Sequence, residues 1–397
     1  MKEIKSINIF TQGDSTEPST WSNVPFCFTN ALESSGIQVN RINILPDPTY
    51  IFKLYKKIWN RFINKFICIF YENHIYNIDR SIIYRMFVNS KIKRAIEFYP
   101  AADYNIFLTF SYTNKFSSGP SLLLCDYTYE IYIKNSLKRK PNLIEQAYIR
   151  YENKVIARSE VVVNLFANYA TLMTSKYHKK VHYLGNMGIN IVYQEPLVKL
   201  DTLPVKVKSN KILFIGNRWN HSYVVAAKLL IESFSLLKAL YPLIELHFIG
   251  MSNDSFENIP AGVYCHGYLD KRNKEQRKEY YDLLLNAKLF VNTSGSYGAT
   301  MEAMYYYTPI VTARYGEIVE EFGQEIQFGQ YCNELSKEKL LQCILSVLES
   351  DKYTDMCVSA HDIIAPHTWE EFSKKIIKLL GCHLHGQIHS GLNNSEK

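Results

Sequence analysis

Short apolar runs alternate with helical periods along almost the whole chain, and no other feature constrains the fold as much. In the first half the runs are "SINIFTQ", "IQVNRINIL", "YNIFLTF", "SLLLCDY", "EVVVNLF" and "KVHYLGN". In the second half they are "KILFIG", "IELHFIG", "KLFVNTS" and "PIVTA". Between them lie stretches of helical spacing: one expected from about Thr20, then "NLIEQAYIRYENKVIARS", "ANYATLMTSKYH", "SYVVAAKLLIESFSLLKALYP" and "RKEYYDLLLNA". The runs are mostly β-branched or aromatic, and strands alternating with helices imply parallel sheets covered on both faces.

A chain of 397 residues is too long for one ordinary core. The boundary is expected at 191–210, within "INIVYQEPLVKLDTLPVKVKSN", which has two prolines and no clear period. That leaves a first α/β domain over 1–190 and a second beginning at 211. Open α/β sheets bind ligands beyond the carboxyl ends of their strands, so two such domains on one linker are expected to leave a binding cleft.

Composition narrows the class. A hydrophobic share of 47% and a charged share of 21% are those of a soluble globular chain. A net charge of +7 favours anionic partners such as phosphates or a membrane surface and is too weak to argue for nucleic acid. The eight cysteines form no CxxC pair, and Cys68 and Cys343 sit in apolar runs, so they read as reduced core residues of a cytosolic protein. The start, "MKEIKSINIFTQGDS", runs directly into a strand, which argues against a signal peptide. No apolar run is long enough to cross a bilayer.

The stretch "VNTSGSYGATMEAMYYYTPIVTA", residues 291–313, carries the chemistry. A strand delivers the chain to a turn of small residues, and a helix is expected to open near Tyr297–Ala299. The first turn of a helix has free N–H groups and a partial positive charge, so it holds a phosphate well. Gly295 and Gly298 let a ligand approach the backbone. Ser294, Ser296 and Thr300 offer hydroxyl donors, and Ala299 a further backbone amide. Glu302, about one turn further in, suits paired hydroxyls such as those of a ribose. Phosphate and ribose together describe a nucleotide. The other reading is a helix capped by Ser and Gly with a solvated Glu302.

These pieces come in an order that resembles the nucleotide-binding domain of retaining GT-B glycosyltransferases, of the family 4 kind. "KILFIGNRW" is similar to that family's first strand and glycine loop, and "LLIESFSLLKALYPLIELHFIG" to its following helix and strand. "VYCHGYLDK" resembles the strand and loop that face the base, and "YYDLLLNAKLFVNTS" with "YGATMEAM" and "TPIV" the nucleotide-binding motif. "HTWEEFSKKIIKLL" resembles the closing helix that packs back on the first domain. In the first half, "GDSTEPSTWSNVPFCFTNALESSGIQV", "ARSEVVVNLFANYATLM" and "VHYLGNMGIN" are similar to the first glycine loop and the last strands.

The resemblance implies an α/β GT-B fold, two Rossmann-like α/β domains facing each other across a cleft. The domains are then 1–190 for the acceptor and 211–365 for the nucleotide sugar, with a helix at 366–381. It also implies sites. Gly216, Asn217 and Arg218 follow the first strand, with Arg218 expected on the diphosphate; its other reading is a surface arginine. Gly267, Tyr268 and Leu269 face the base. Ser19, Thr20, Trp21, Ser22 and Asn23 face the acceptor, with Ser19 or Thr20 also a natural N-cap. Three departures stand out. Ser294–Ser296 replace the first of the family's two glutamates, no lysine follows Arg218, and the first domain lacks the family's histidine, with Ser111 near that place. Asp126, after the run "SLLLCDY", is the candidate for touching the sugar, or a buried cap of the next turn.

Two stretches stand apart. Residues 50–71, "YIFKLYKKIWNRFINKFICIFY", mix Lys and Arg with large apolar residues at helical spacing. They read as an amphipathic helix packed on the first sheet or as a segment lying on an anionic membrane. Residues 381–389, "GCHLHGQIH", cluster one Cys and three His, superficially like a metal site.

The expected function is a hexosyltransferase moving sugar from a nucleotide-diphosphate sugar to a glycan or lipid-linked acceptor, with Arg218, Glu302 and Asp126 as its catalytic residues. Bacterial cell-surface polysaccharide synthesis is the expected setting, with retention implied by the resemblance. No cofactor or metal is expected, since no Asp-x-Asp motif is present. The expected location is cytoplasmic, with peripheral contact at the inner membrane face. The alternatives are a non-catalytic nucleotide or glycan binder and a GT-B sugar-nucleotide epimerase.

Overall fold

The computed structural model describes residues 3–70, 77–113, 119–135, 137–191 and 202–394. They divide into two compact units, residues 1–186 with 372–397, and residues 187–371.

Unit 1 is built on a five-stranded parallel sheet of β1 (Ser6–Thr11), β2 (Gln38–Asn43), β3 (Tyr104–Phe107), β4 (Ser121–Cys125) and β5 (Val161–Asn164), in the order β2-β1-β3-β4-β5. Ile7, Ile9, Phe10, Phe107, Leu122 and Val162 are fully buried, and the Phe10 and Phe107 rings stack with centroids 4.3 Å apart. Buried side-chain amides within the sheet need partners. Asn40, Asn8 and Asn105 form a ladder across β2, β1 and β3, Asn40 Nδ2 donating to Asn8 Oδ1 (2.7 Å) and Asn8 Nδ2 to Asn105 Oδ1 (3.1 Å). The run "KVHYLGN", expected as a strand, contributes only an isolated bridge between His182 and Val163.

Unit 2 holds a six-stranded parallel sheet. Its strands are β6 (Lys211–Ile215), β7 (Glu245–Ile249), β8 (Val263–Cys265), β9 (Ala287–Asn292), β10 (Ile310–Ala313) and β11 (Gly329–Cys332), in the order β11-β10-β9-β6-β7-β8. The helix His221–Leu240 packs Ala227, Leu230, Phe234 and Leu237 into a core with Phe214, Phe248 and Leu289.

Half of the segment expected as a linker, 191–210, lies at 192–201, outside the described residues. Its remaining part is not open coil. Leu203–Lys208 is a helix, and Lys206 is fully buried with its ammonium donating to Leu284 O (2.5 Å) and Thr308 Oγ1 (2.7 Å). The last helix runs from Trp369 to Asn394, well past the expected end at 381, and from Phe372 onward it belongs to unit 1. The Cys-His stretch lies inside it. His383 Nδ1 is 2.5 Å from the Tyr104 hydroxyl, and among the described residues no group of side chains forms a metal site. Also among the described residues, no helix is long and apolar enough to cross a membrane.

Candidate active site

In unit 2, β9 ends at Asn292, whose side chain organises the next turn. Its Oδ1 accepts the Ser294 N–H (2.8 Å) and hydroxyl, while Nδ2 donates to Ile215 O at the end of β6 (2.8 Å). The turn passes through Gly295 at φ +82°, where a Cβ would sit 3.2 Å from the Tyr315 ring. The helix Tyr297–Tyr305 then begins, and Ser296 at its N-cap makes no side-chain capping bond. The first-turn N–H groups have no partner within the helix.

Not every expected donor is available. The Thr300 hydroxyl donates to Ser296 O (2.8 Å) and is buried, and the Ser294 hydroxyl is spent on Asn292. At Gly298 a Cβ would meet Asn190 at 3.6 Å and Met187 at 3.9 Å, ordinary contact distances, so packing does not require glycine there.

Glu302 is not solvated. It is 5% exposed, and its Oε2 accepts from the Tyr280 hydroxyl (2.5 Å) and from Lys271 Nζ (3.2 Å). Lys271 lies over the Tyr280 ring, 4.0 Å from its centroid. Burial first, and then the Glu302 charge, hold the Tyr280 hydroxyl well above its ordinary range. Among the described residues Oε1 accepts no hydrogen bond, so one oxygen remains for a ligand. Nothing in the sequence marks Lys271 and Tyr280 as partners of Glu302. They stand 31 and 22 residues from Glu302, and no local spacing links them.

The neighbouring loops meet this turn. A Cβ at Gly250 would fall 1.9 Å from Gly216 O, and Gly250 N–H donates to Gly267 O (2.7 Å), so the ends of β6, β7 and β8 are tied together. Arg218 follows Gly216 and Asn217. Its Nη1 donates to Ser252 Oγ (2.8 Å) and lies 3.3 Å from Asp254 Oδ2, with the guanidinium 4.5 Å from the Trp219 ring centroid. As it stands, Arg218 is a partly exposed, paired arginine. Tyr268 is exposed, whereas the Leu269 side chain is buried and can offer a base only its backbone.

Unit 1 has its own cavity, about 350 Å³, at the carboxyl ends of β1, β3 and β4. Asp126, Glu152, Arg80, Thr20 and Trp21 line it. Burial raises the Asp126 carboxyl pKa, opposed by hydrogen bonds from the Tyr127 N–H (2.7 Å) and the Cys125 thiol (3.3 Å). Burial also raises that of Glu152, opposed by the Arg80 charge, and Glu152 accepts from Tyr129 N–H (2.7 Å) and Ser111 Oγ (3.1 Å). Arg80 packs 4.5 Å above Tyr129 and donates to the Tyr148 hydroxyl (2.7 Å). Glu152 and Arg80 were not foreseen, because they come from a helix and a turn that the sequence places far apart.

The expected helix start near Thr20 is instead a left-handed turn. Trp21, Ser22 and Asn23 all have positive φ (39°, 53°, 69°), and the helix proper is Val24–Ser34. Neither Ser19 nor Thr20 caps it: the Thr20 hydroxyl donates to Asp14 O (2.7 Å). Thr20 and Trp21 reach the cavity, while Ser19, Ser22 and Asn23 are not among its lining.

Comparison with known proteins agrees with this architecture. Residues 209–350 match the family model described as glycosyl transferases group 1. No curated protein matches. Among solved structures, sucrose-phosphate synthase from Thermosynechococcus elongatus aligns with TM-score 0.64 and 12% identity, over 98% of this chain and 100% of that one. Anabaena HepE in complex with UDP and glucose aligns with TM-score 0.60 and 13% identity, over 95% and 99%. A mutant of S. aureus TarM in complex with fondaparinux, α-GlcNAc-glycerol and UDP aligns with TM-score 0.55 and 14% identity, over 74% of this chain; the match spans 59% of that longer one. The fold is GT-B, two parallel-sheet α/β domains. Residues 209–350 of its second unit are similar to a group 1 glycosyltransferase domain, which supports a transferase of the GT-B kind.

Proposed function

We propose that the protein moves a hexose-type sugar from a nucleotide-diphosphate sugar to a glycan or lipid-linked acceptor, with retention of configuration, in bacterial cell-surface polysaccharide synthesis at the cytoplasmic face of the membrane. One observation carries the reading. An uncapped helix mouth behind Gly295 stands one turn from Glu302, whose Oε1 is unfilled. The N–H groups at the mouth suit a diphosphate, and Oε1 suits ribose hydroxyls. Uridine diphosphate is the favoured donor nucleotide, since the HepE and TarM structures carry it.

As the glycosidic bond breaks, negative charge grows on the leaving diphosphate. Amides already aimed there stabilise the transition state more than the ground state. Arg218 adds to this by exchanging Asp254 for phosphate, which a guanidinium binds bidentately. The backbone of Gly267–Leu269 meets the base. In unit 1, Asp126 accepts from a sugar hydroxyl, and the turn at Ser19–Asn23 meets the acceptor. This chemistry uses no divalent metal, so EDTA should leave turnover unchanged.

Calorimetry with UDP and GDP tests the nucleotide site, and hydrolysis of UDP-hexoses tests the chemistry. UDP should bind, and Glu302→Gln should weaken it. Tight binding with no turnover on any acceptor would favour a non-catalytic binder. A specific observation favours a second enzymatic reading. Half-buried Asp126 and buried Glu152 set two carboxyl groups on one cavity, as acid/base chemistry on a sugar requires. Epimerised UDP-sugar in the absence of any acceptor would select that epimerase over the transferase.

A further inference from the structure

The helical segment from Tyr50 to Phe70 has a buried side and an exposed one. On the inner side Tyr55 and Trp59 are buried. The Tyr55 hydroxyl donates to Ser81 Oγ (2.6 Å), and the Phe52 ring lies 5.9 Å from that of Tyr84 and 5.3 Å from that of Phe87. On the outer side stand Ile51, Leu54, Ile58, Phe62, Phe66 and Ile69, spaced three or four residues apart and between 41% and 76% exposed. The expected burial of this stretch on the sheet is therefore not met; it packs on the helix Ile82–Phe98 and leaves its apolar stripe outside. Single apolar residues on a surface are ordinary, but a contiguous stripe marks an interaction site.

Charge identifies the occupant. The same segment holds Lys53, Lys56, Lys57, Arg61 and Lys65, all exposed, and no Asp or Glu. We propose that this face docks on an anionic phospholipid bilayer, with the six apolar side chains entering the acyl boundary and the five cations meeting headgroup phosphates. A second copy of the chain fits less well. A two-fold contact sets like surfaces opposite one another, so the same five cations would face themselves. Hydrocarbon under a layer of phosphates matches both the stripe and the charge.

The proposal extends the transferase reading, since a lipid-linked acceptor resides in such a bilayer, and its test reads binding alone, so that the two fail separately. The full chain is sedimented with vesicles of phosphatidylcholine, with and without phosphatidylglycerol, at low and high salt. It should bind the anionic vesicles, and salt should weaken that binding. Phe62→Gln with Phe66→Gln should lower affinity by at least about tenfold, from lost apolar burial. Lys53→Gln with Lys56→Gln and Lys57→Gln should lower it on the order of a hundredfold, at roughly fivefold per charge. Both variants change exposed side chains and should melt as the parent does. No binding to anionic vesicles, or binding that neither variant weakens, overturns the proposal. A concentration-dependent dimer lost in the Phe62/Phe66 variant, without vesicle binding, assigns the face to a second copy and overturns it equally.

Discussion

Lys271 and Glu302 form a nearly buried ion pair, Nζ to Oε2 3.2 Å, with side-chain exposures of 11% and 7%. The pair joins the loop after β8 to the helix after β9, the two segments expected to meet base and ribose. Removing one partner of such a pair leaves an uncompensated buried charge, which costs about 3–5 kcal/mol. Lys271→Met should therefore destabilise the chain far more than Lys271→Met combined with Glu302→Gln, as urea unfolding would measure. UDP affinity should separate the roles. It should fall in every variant lacking Glu302 and recover in none of them, because the proposed ligand takes Oε1 while Oε2 serves the fold.

Gly298 gives a cleaner test of the helix mouth. Protein atoms leave room for a Cβ there, and alanine is favoured over glycine within a helix by about 0.5–1 kcal/mol. Gly298→Ala should keep or slightly raise the melting temperature while weakening UDP binding, since the added methyl stands where a diphosphate approaches the backbone. Gly250→Ala is the contrast. Its Cβ would overlap Gly216 O, and it should unfold the loop outright. Equal loss of UDP affinity and stability in Gly298→Ala would count against a phosphate at this mouth.

Much of this could be read in the amino-acid order, and the reason is local. Runs such as "KILFIG" and "KLFVN" are short, apolar and β-branched, and each became a strand. β11, "GQYC", escaped because only two of its four residues are apolar and its register comes from β10. "KVHYLGN" failed for the opposite reason: with strand-like residues, it finds only a one-residue bridge beside β5. The helix mouth was legible because glycine and serine before a helix are a local signature. The partners of Glu302, and the placing of Arg80 and Glu152 beside Asp126, were not. They meet through tertiary packing across 22 residues or more, which leaves no trace in spacing.

Asp126 should show its burial as a pH dependence of stability. Its pKa is raised above the ordinary value of 3.8, so between that value and the folded one the native chain binds a proton that the unfolded chain has released. The stabilisation is complete below 3.8 and is lost as pH rises through the folded pKa. Asp126→Asn removes the ionisation. Stability of the variant should fall less steeply above pH 3.8, with Glu152 keeping part of the slope because burial raises its pKa too. At neutral pH the variant should be at least as stable as the parent, yet turnover should drop by on the order of ten- to a hundredfold if the carboxylate bonds a sugar hydroxyl. Unchanged turnover with raised stability would leave Asp126 a mere structural cap.

The left-handed turn at Trp21–Asn23 sets stability against function in the same way. Three consecutive non-glycine residues at positive φ cost on the order of 1–3 kcal/mol each and persist only where the surroundings hold them. Trp21 lines the same cavity as Asp126, so the turn sets the indole in the cavity wall. Ser22 is exposed and has φ 53° and ψ 40°, a conformation glycine adopts without penalty. Ser22→Gly should raise the unfolding free energy in urea by up to about 1 kcal/mol through relieved strain, partly offset by the greater freedom of glycine in the unfolded chain. It should also loosen the aim of Trp21, so that KM for the acceptor rises while UDP affinity in unit 2 stays fixed. A stabilised variant with unaltered acceptor KM would mean that the turn serves packing alone.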